Sequence, residues 1–247
     1  MGNGSGRTLT VLGCDGSYPG PGGAASGYLV QDGPTTLWVD AGPGTFANLQ
    51  RVIDPGAVSA VLLSHEHPDH WTDVESFAVW ARHQNAGEPV LVLAPPGLRE
   101  RSYFAHDHGL EWRVAEAEAS VDIRDAKLTF AATDHGPPTL AVRIDTTDDQ
   151  QKALVYSADT GYDWSVEAFG AGIGTFLCEA SHMKDREGEF QHLSGRQAGL
   201  MASSAKVGEL VITHRIPTVD SEGVALEAAE ALGRAVYQAV PGATFEW

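Results

Sequence analysis

Apolar residues along the chain fall in short runs divided by turn-forming residues, the spacing of strands rather than of long helices. The runs predict strands over residues 9–14, 27–30, 36–40, 60–63, 90–94, 127–132, 140–144, 153–157, 175–178 and 209–212. Between them, apolar positions recur with helical period over residues 45–53, 73–82, 98–108, 193–206 and 222–239. In each half of the chain strands come first and helices follow, which predicts an α/β (α+β) fold: sheets packed face to face with helices outside. No linker, repeat or low-complexity tract divides it, so residues 8–247 are expected to form one domain. Residues 1–7, MGNGSGR, read as a flexible start or an expression remnant.

Composition narrows the partners more than the fold. The formal net charge is -17 and the 16 Lys and Arg residues are scattered. Proteins of long nucleic acids need basic surface to neutralise phosphates, so such partners are disfavoured. No apolar stretch approaches the roughly 20 residues of a membrane span, and no basic-then-apolar leader is present. The expectation is a cytoplasmic protein without a membrane partner. Cys14 and Cys178, the two cysteines, each lie in an apolar run and read as small buried hydrophobes rather than as a disulfide framework.

The chemistry concentrates in His65-Glu66-His67-Pro68-Asp69-His70, directly after the apolar run 60–63. Imidazole and carboxylate suit zinc and similar divalent ions. Four such groups on a six-residue turn can scarcely all face one ion. The economical reading is two adjacent ions, His65 and His67 on one, Asp69 and His70 on the other. Further polar residues follow later strands: His135, Asp159, Glu179 and His214. Strand ends on one rim bring such distant residues to a common site.

With these residues in place, the chain resembles the metallo-β-lactamase superfamily. Its HxHxDH signature is complete at His65, His67, Asp69 and His70, and His135, Asp159 and His214 follow in the family's order. The resemblance implies an αββα sandwich of two mixed sheets with outer helices and a binuclear metal site on one edge. It implies that His65, His67 and His135 hold one ion, that Asp69, His70 and His214 hold the other, and that Asp159 bridges them. The expected cofactors are two divalent ions, zinc first, with manganese or iron as alternatives. Phe176-Leu177-Cys178-Glu179-Ala180-Ser181 and His192-Leu193-Ser194-Gly195 resemble paired segments of the ribonuclease Z-related branch, whose histidine lies near the reacting phosphate. The start, residues 12–17 and 25–29, looks like small bacterial members of that branch, some of which are thought to cleave cyclic nucleotides. The long arm with which tRNA-processing members grip tRNA has no counterpart in residues 136–158, between His135 and Asp159.

The implied activity is hydrolysis of small phosphate esters by metal-activated water, with a cyclic nucleotide phosphodiesterase as its sharpest form. Asp69 is both a ligand and a candidate acceptor of the water's proton. His192 is the candidate proton donor to the leaving group, oriented by Glu179. Rival readings are a promiscuous phosphotriesterase or lactonase, a short-RNA nuclease, and a non-enzymatic metal protein with an acidic partner-binding surface. A homodimer is expected because relatives often dimerise. Several residues carry two readings each. Asp134 and Asp73 either orient imidazoles or serve as caps. His182 either lines the pocket or sits in an exposed loop. Tyr18, Trp71 and Tyr162 either contact a flat group or pack. The glycine-rich residues 16–27 either present N–H groups to an anion or merely connect. His83, His106 and His108 are read as surface or capping residues.

Overall fold

A computed structural model describes residues 6–84, 87–105, 109–146 and 152–247. In chain order the first half contains β1 (Thr8–Gly13), β2 (Gly27–Asp32), β3 (Thr35–Ala41), α1 (Thr45–Val52), β4 (Ala60–Leu62), α2 (Asp73–Gln84), β5 (Val90–Ala94) and β6 (Leu110–Val114). The second half contains β7 (Ser120–Ile123), β8 (Ala126–Ala132), β9 (Leu140–Thr146), β10 (Ala153–Tyr156), β11 (Ile173–Glu179), α3 (Gly195–Ser204), β12 (Glu209–Thr213), α4 (Ser221–Leu232), β13 (Tyr237–Gln238) and β14 (Thr244–Glu246). One sheet has the order β14-β1-β2-β3-β4-β5-β6 and the other β13-β12-β11-β10-β9-β8-β7. In each, an antiparallel meander gives way to parallel strands, at β3–β4 in the first and β10–β11 in the second. This is the expected αββα sandwich.

Period-two alternation sorts side chains between layers. On β2, Tyr28 and Val30 enter the core between the sheets, while Leu29 faces the helix layer with Trp38 of β3 and Phe46 of α1. On β10, Leu154 and Tyr156 point into the same central core and Val155 outward against the helices of the second half. Strands buried on both faces therefore read as continuous apolar runs, as parallel strands do. All strand ends that carry the candidate site residues, those of β4, β8, β10 and β12, lie on one rim.

The structure departs from the sequence pattern at two helices. Residues 98–108 do not form one in their described part: a single 3-10 turn, Arg99–Arg101, ends at an extended Ser102. The N–H groups of Tyr103 and Phe104 then donate to the Glu75 carboxylate on α2, at 2.8 and 3.1 Å, instead of closing helical turns. His106 and His108 lie outside the described residues, as do residues 147–151 of the turn expected between β9 and β10. Helix α4 stops at Leu232, because Gly233 takes a left-handed conformation with φ 78°. The rest of the predicted helix becomes β13, parallel to β12. Strands β6, β7, β13 and β14 carry mostly exposed or half-buried residues, and their apolar runs are too broken to be legible. Residues 1–5 are outside the described region, while Arg7 donates to Lys152 O and stacks on Trp247. Among the described residues no helix is long and apolar enough to cross a membrane.

The second helix layer depends on two close backbone approaches. A Cβ on Gly199 of α3 would stand 2.3 Å from Ala228 O of α4, and one on Gly195 2.1 Å from Val224 O. Alanine in a helix interior is intrinsically better than glycine by about 1 kcal/mol. At Gly199 the clash is with backbone and must win, so Gly199→Ala is expected to destabilise the protein by about 1–3 kcal/mol in urea denaturation. A gain in stability would show that α3 and α4 can separate without cost.

Candidate metal centre

The hexapeptide leaves β4 and turns sharply. Pro68 opens a 3-10 turn, Pro68–His70, capped by His67, so that His65 and His67 precede the bend and Asp69 and His70 lie within it. The loop after β3 fixes this turn from below: a Cβ on Gly42 would stand 2.0 Å from Asp69 O, so only glycine permits the approach. Three non-glycine residues at strand ends on this rim take positive φ: Asp40 at 55°, Ala158 at 53° and His214 at 51°. Each such residue costs on the order of 1–2 kcal/mol, and sparsely populated backbone of this kind clusters at functional sites.

The seven predicted ligands are brought together in two groups that share Asp159. In one, His67 Nδ1 lies 3.0 Å from His65 Nε2 and 3.1 Å from His135 Nε2. Asp159 Oδ2 is 3.5 Å from His65 Nε2 and 3.9 Å from His135 Nε2. In the other, Asp69 Oδ2 is 3.4 Å from His70 Nε2 and 3.2 Å from His214 Nε2. Asp159 Oδ1 is 3.3 and 3.4 Å from the same two nitrogens. Atoms bound tetrahedrally at zinc distances of about 2.0–2.1 Å stand about 3.3 Å apart, which the second group matches at 3.2 to 3.4 Å and the first brackets at 3.0 to 3.9 Å.

Hydrogen bonds on the far side of His65, His70, His192 and His214 fix which ring nitrogen faces the centre. Asp40, fully buried, accepts from His70 Nδ1 at 2.7 Å, from Ser64 N at 2.7 Å, from Ser64 Oγ at 2.8 Å and from Tyr156 Oη at 2.7 Å. Because the Ser64 hydroxyl proton goes to Asp40, its oxygen accepts from His65 Nδ1, 3.0 Å away. Glu179 repeats the arrangement in the other sheet. It accepts from His192 Nδ1 at 2.9 Å and from Ser181 Oγ at 2.8 Å, and Ser181 Oγ stands 3.0 Å from His214 Nδ1. Glu179 also accepts the N–H of Thr160, beside Asp159, at 2.7 Å. Two buried carboxylates thus each hold one imidazole directly and a second through a serine, leaving the Nε2 atoms turned inward.

The electrostatics call for positive charge at the centre. Burial favours neutral Asp159, but His214, His70 and His65 hold it well below the usual carboxylate range. Asp69 is likewise pulled down, against its burial, by His70 and His214. Burial lowers the His65 pKa far enough to keep that ring neutral. Burial opposes charge on His70 as well, yet Asp159, Asp40 and Asp69 raise it well above the usual imidazole range. His70 Nε2 and Asp159 Oδ1 are fully buried without a hydrogen-bond partner. Buried polar atoms left unpaired in this way are costly, and a cation between them, in place of the His70 proton, removes the cost. The His/Asp cluster fits metal binding.

His192 stands beside the cluster. Its ring centroid is 5.4 Å from that of His214 and 5.2 Å from that of His135. Burial works against its protonation, but the Glu179 carboxylate raises its pKa to about 9. Asp73 is a helix cap, accepting from Phe46 N at 2.8 Å at the start of α1. Asp134 accepts from Gln191 Nε2 at 2.8 Å and contacts no imidazole in the cluster. His182 is fully buried rather than in an exposed loop, its two ring nitrogens 3.0 Å from Met183 O and 3.1 Å from His192 O. Trp71 packs in the core and donates to Glu66 O, whereas Tyr18 and Tyr162 are about half exposed. In the glycine-rich loop, Gly16 N donates to Arg215 O and Gly20 N to Asp15 Oδ2. His83 is on the surface. Asp40 and Ser64 were not singled out by the sequence pattern, and Ser181 stood out only as part of the 176–181 segment, with no orienting role of its own. Their signal is slight: a carboxylate closing a strand, and a serine beside a candidate residue.

The family model described as "Beta-lactamase superfamily domain" matches residues 35–215, which include the whole cluster. The chain belongs to that superfamily. An uncharacterized protein of Mycobacterium leprae, ML1173, is 36% identical over 96% of this chain and 88% of its own. A ribonuclease Z of Mycobacterium avium is 28% identical over 92% of this chain and 93% of its own. The crystal structure of YhfI from Bacillus subtilis, a metallo-β-lactamase fold protein, superposes with a TM-score of 0.90 at 25% identity, covering 98% of this chain and all of the other. The superfamily is one of metallo-hydrolases.

The orienting network generates a prediction. Asp40→Asn keeps the side chain's size but places N–H groups where four donors converge. Metal affinity is expected to fall by about 10–100-fold with the fold retained, as for other groups that orient ligands. Metal titration followed by circular dichroism measures both, and unchanged affinity would show that the imidazoles need no orienting carboxylate.

Proposed function

We propose that the protein is a binuclear metal-dependent hydrolase of small phosphate esters, most specifically a phosphodiesterase of the cyclic nucleotide type. His65, His67 and His135 hold one ion and Asp69, His70 and His214 the other, with one Asp159 oxygen for each. A site of this many imidazoles suits zinc first, with manganese or iron as alternatives. When bound, such a pair supplies activated water and stabilises charge developing at phosphorus.

One observation carries the phosphodiester reading: the His192–Glu179 pair at the edge of the cluster. Glu179 engages Nδ1 at 2.9 Å, so Nε2 is the ring nitrogen left to face Asp159 and His214. A protonated imidazole there donates to the leaving oxygen of an ester, which departs poorly as a bare alkoxide. Asp69 has a second role as acceptor of the attacking water's proton. The likeness to a ribonuclease Z over 92% of the chain supports the same chemistry. The net charge of -17 and the short 136–158 segment favour small substrates over tRNA.

Side-by-side hydrolysis of cyclic nucleotides, bis-aryl phosphodiesters, phosphotriesters, lactones and short RNA tests the substrate class. Phosphodiesters are expected to be cleaved with the highest kcat/KM, and chelation to abolish the reaction. Lactones or triesters favoured by orders of magnitude would refute the phosphodiester reading. His192→Ala is expected to keep its metal and lose about 10²–10⁴-fold in rate on an alkoxide-leaving substrate, and much less on a nitrophenyl ester. Equal losses on both would mean that His192 shapes the pocket instead of supplying the proton.

A further inference from the structure

The candidate centre is assembled from both sheets. His65, His67, Asp69 and His70 follow β4, while His135, Asp159 and His214 follow β8, β10 and β12 of the opposite sheet. Each group of ligands therefore needs the two sheets in a fixed relation. Apolar packing between them supplies cohesion, but it is non-directional and tolerates small shifts.

Two tyrosines cross this interface with directional bonds. Tyr156, on β10 of the second sheet, donates to Asp40 Oδ2 on β3 of the first at 2.7 Å. Tyr28, on β2 of the first sheet, reaches Thr213 Oγ1 on β12 of the second at 2.6 Å. Both rings are buried, and their centroids lie 5.2 Å apart. Each bond ends directly behind one imidazole of the same group: Asp40 holds His70 Nδ1, and Thr213 precedes His214 in the chain. Burial and the neighbouring Asp40 keep the Tyr156 phenol protonated, its pKa well above the ordinary range.

We infer that Tyr28 and Tyr156 are positioning residues that set the spacing between His70 and His214, and with it the affinity of the ion held with Asp69. This rests on the two-ion reading above. The effect is selective for Tyr28, whose bond ends on Thr213 alone, whereas the Tyr156 bond ends on Asp40, which holds His70 directly and also reaches His65 of the other group through Ser64.

The test is stepwise metal titration of the metal-free full chain, with zinc against a chromophoric chelator, for wild type, Tyr28→Phe, Tyr156→Phe and the double variant. Thr213→Val removes the Tyr28 partner without touching the ring. Leu154→Ala, a central-core change on the same face of β10 as Tyr156, controls for lost stability. Wild type should take up two ions. Tyr28→Phe and Thr213→Val should weaken one ion by 10-fold or more and leave the other within about 3-fold; Tyr156→Phe should weaken the same ion most and the other less, with the double variant weaker still. Leu154→Ala should lower the melting temperature and leave the ratio of the two affinities unchanged. Both ions weakening equally in Tyr28→Phe and Thr213→Val, or no ion weakening in any of the tyrosine variants, would overturn the positioning role. A wild type that binds one ion would overturn the two-ion reading itself, and the inference with it.

Discussion

A carboxylate cut off from water persists as an anion only when its surroundings are arranged around it, and Asp159 is that carboxylate. It is 2% exposed, and its two oxygens face different imidazole groups. Burial of a charge without compensation is prohibitive. The surrounding protein accordingly turns imidazole nitrogens of both groups toward the two Asp159 oxygens, and His214, His70 and His65 hold the carboxylate ionised. The left-handed Ala158 that throws Asp159 inward, and the Thr160 N–H that ties this turn to Glu179, both follow from that need.

Asp40 and Glu179 complete the arrangement as near-mirror images in the two sheets. Each is wholly buried, and each fixes one imidazole directly and one through a serine hydroxyl. On the proposed reading their partners differ in consequence. Asp40 serves two rings that face the centre as metal ligands. Glu179 serves one ligand ring, His214, and one ring, His192, that is free to act on substrate. On that reading the same orienting device supports metal binding on one side and proton transfer on the other, and function follows from this local difference rather than from the fold.

Much of this was legible in the sequence because the chemistry sits at the ends of strongly apolar strands. Strands β1 to β5 and β8 to β12 are buried enough to read as continuous apolar runs, and the residues just past them stand out as polar. Asp40 escaped notice because it lies inside the predicted run 36–40 and looked like a strand terminus. Ser64 escaped because serine at a turn is unremarkable by itself, and Ser181, though part of the 176–181 motif, shows its orienting role only through its hydrogen bonds. The edge strands β6, β7, β13 and β14 escaped because half-exposed strands carry little apolar signal. Helical period alone misled at residues 98–108, where the Glu75 carboxylate takes the N–H groups a helix would have used. At residues 233–239 the positive φ of Gly233 outweighed the apolar pattern.

The account turns on Asp159 standing between two cations, and anomalous diffraction from crystals of zinc-loaded protein addresses this directly. Two anomalous peaks per chain are predicted, one among His65, His67 and His135 and one among Asp69, His70 and His214, with a different Asp159 oxygen directed at each. A single peak, or two peaks with Asp159 turned away from either, would contradict it.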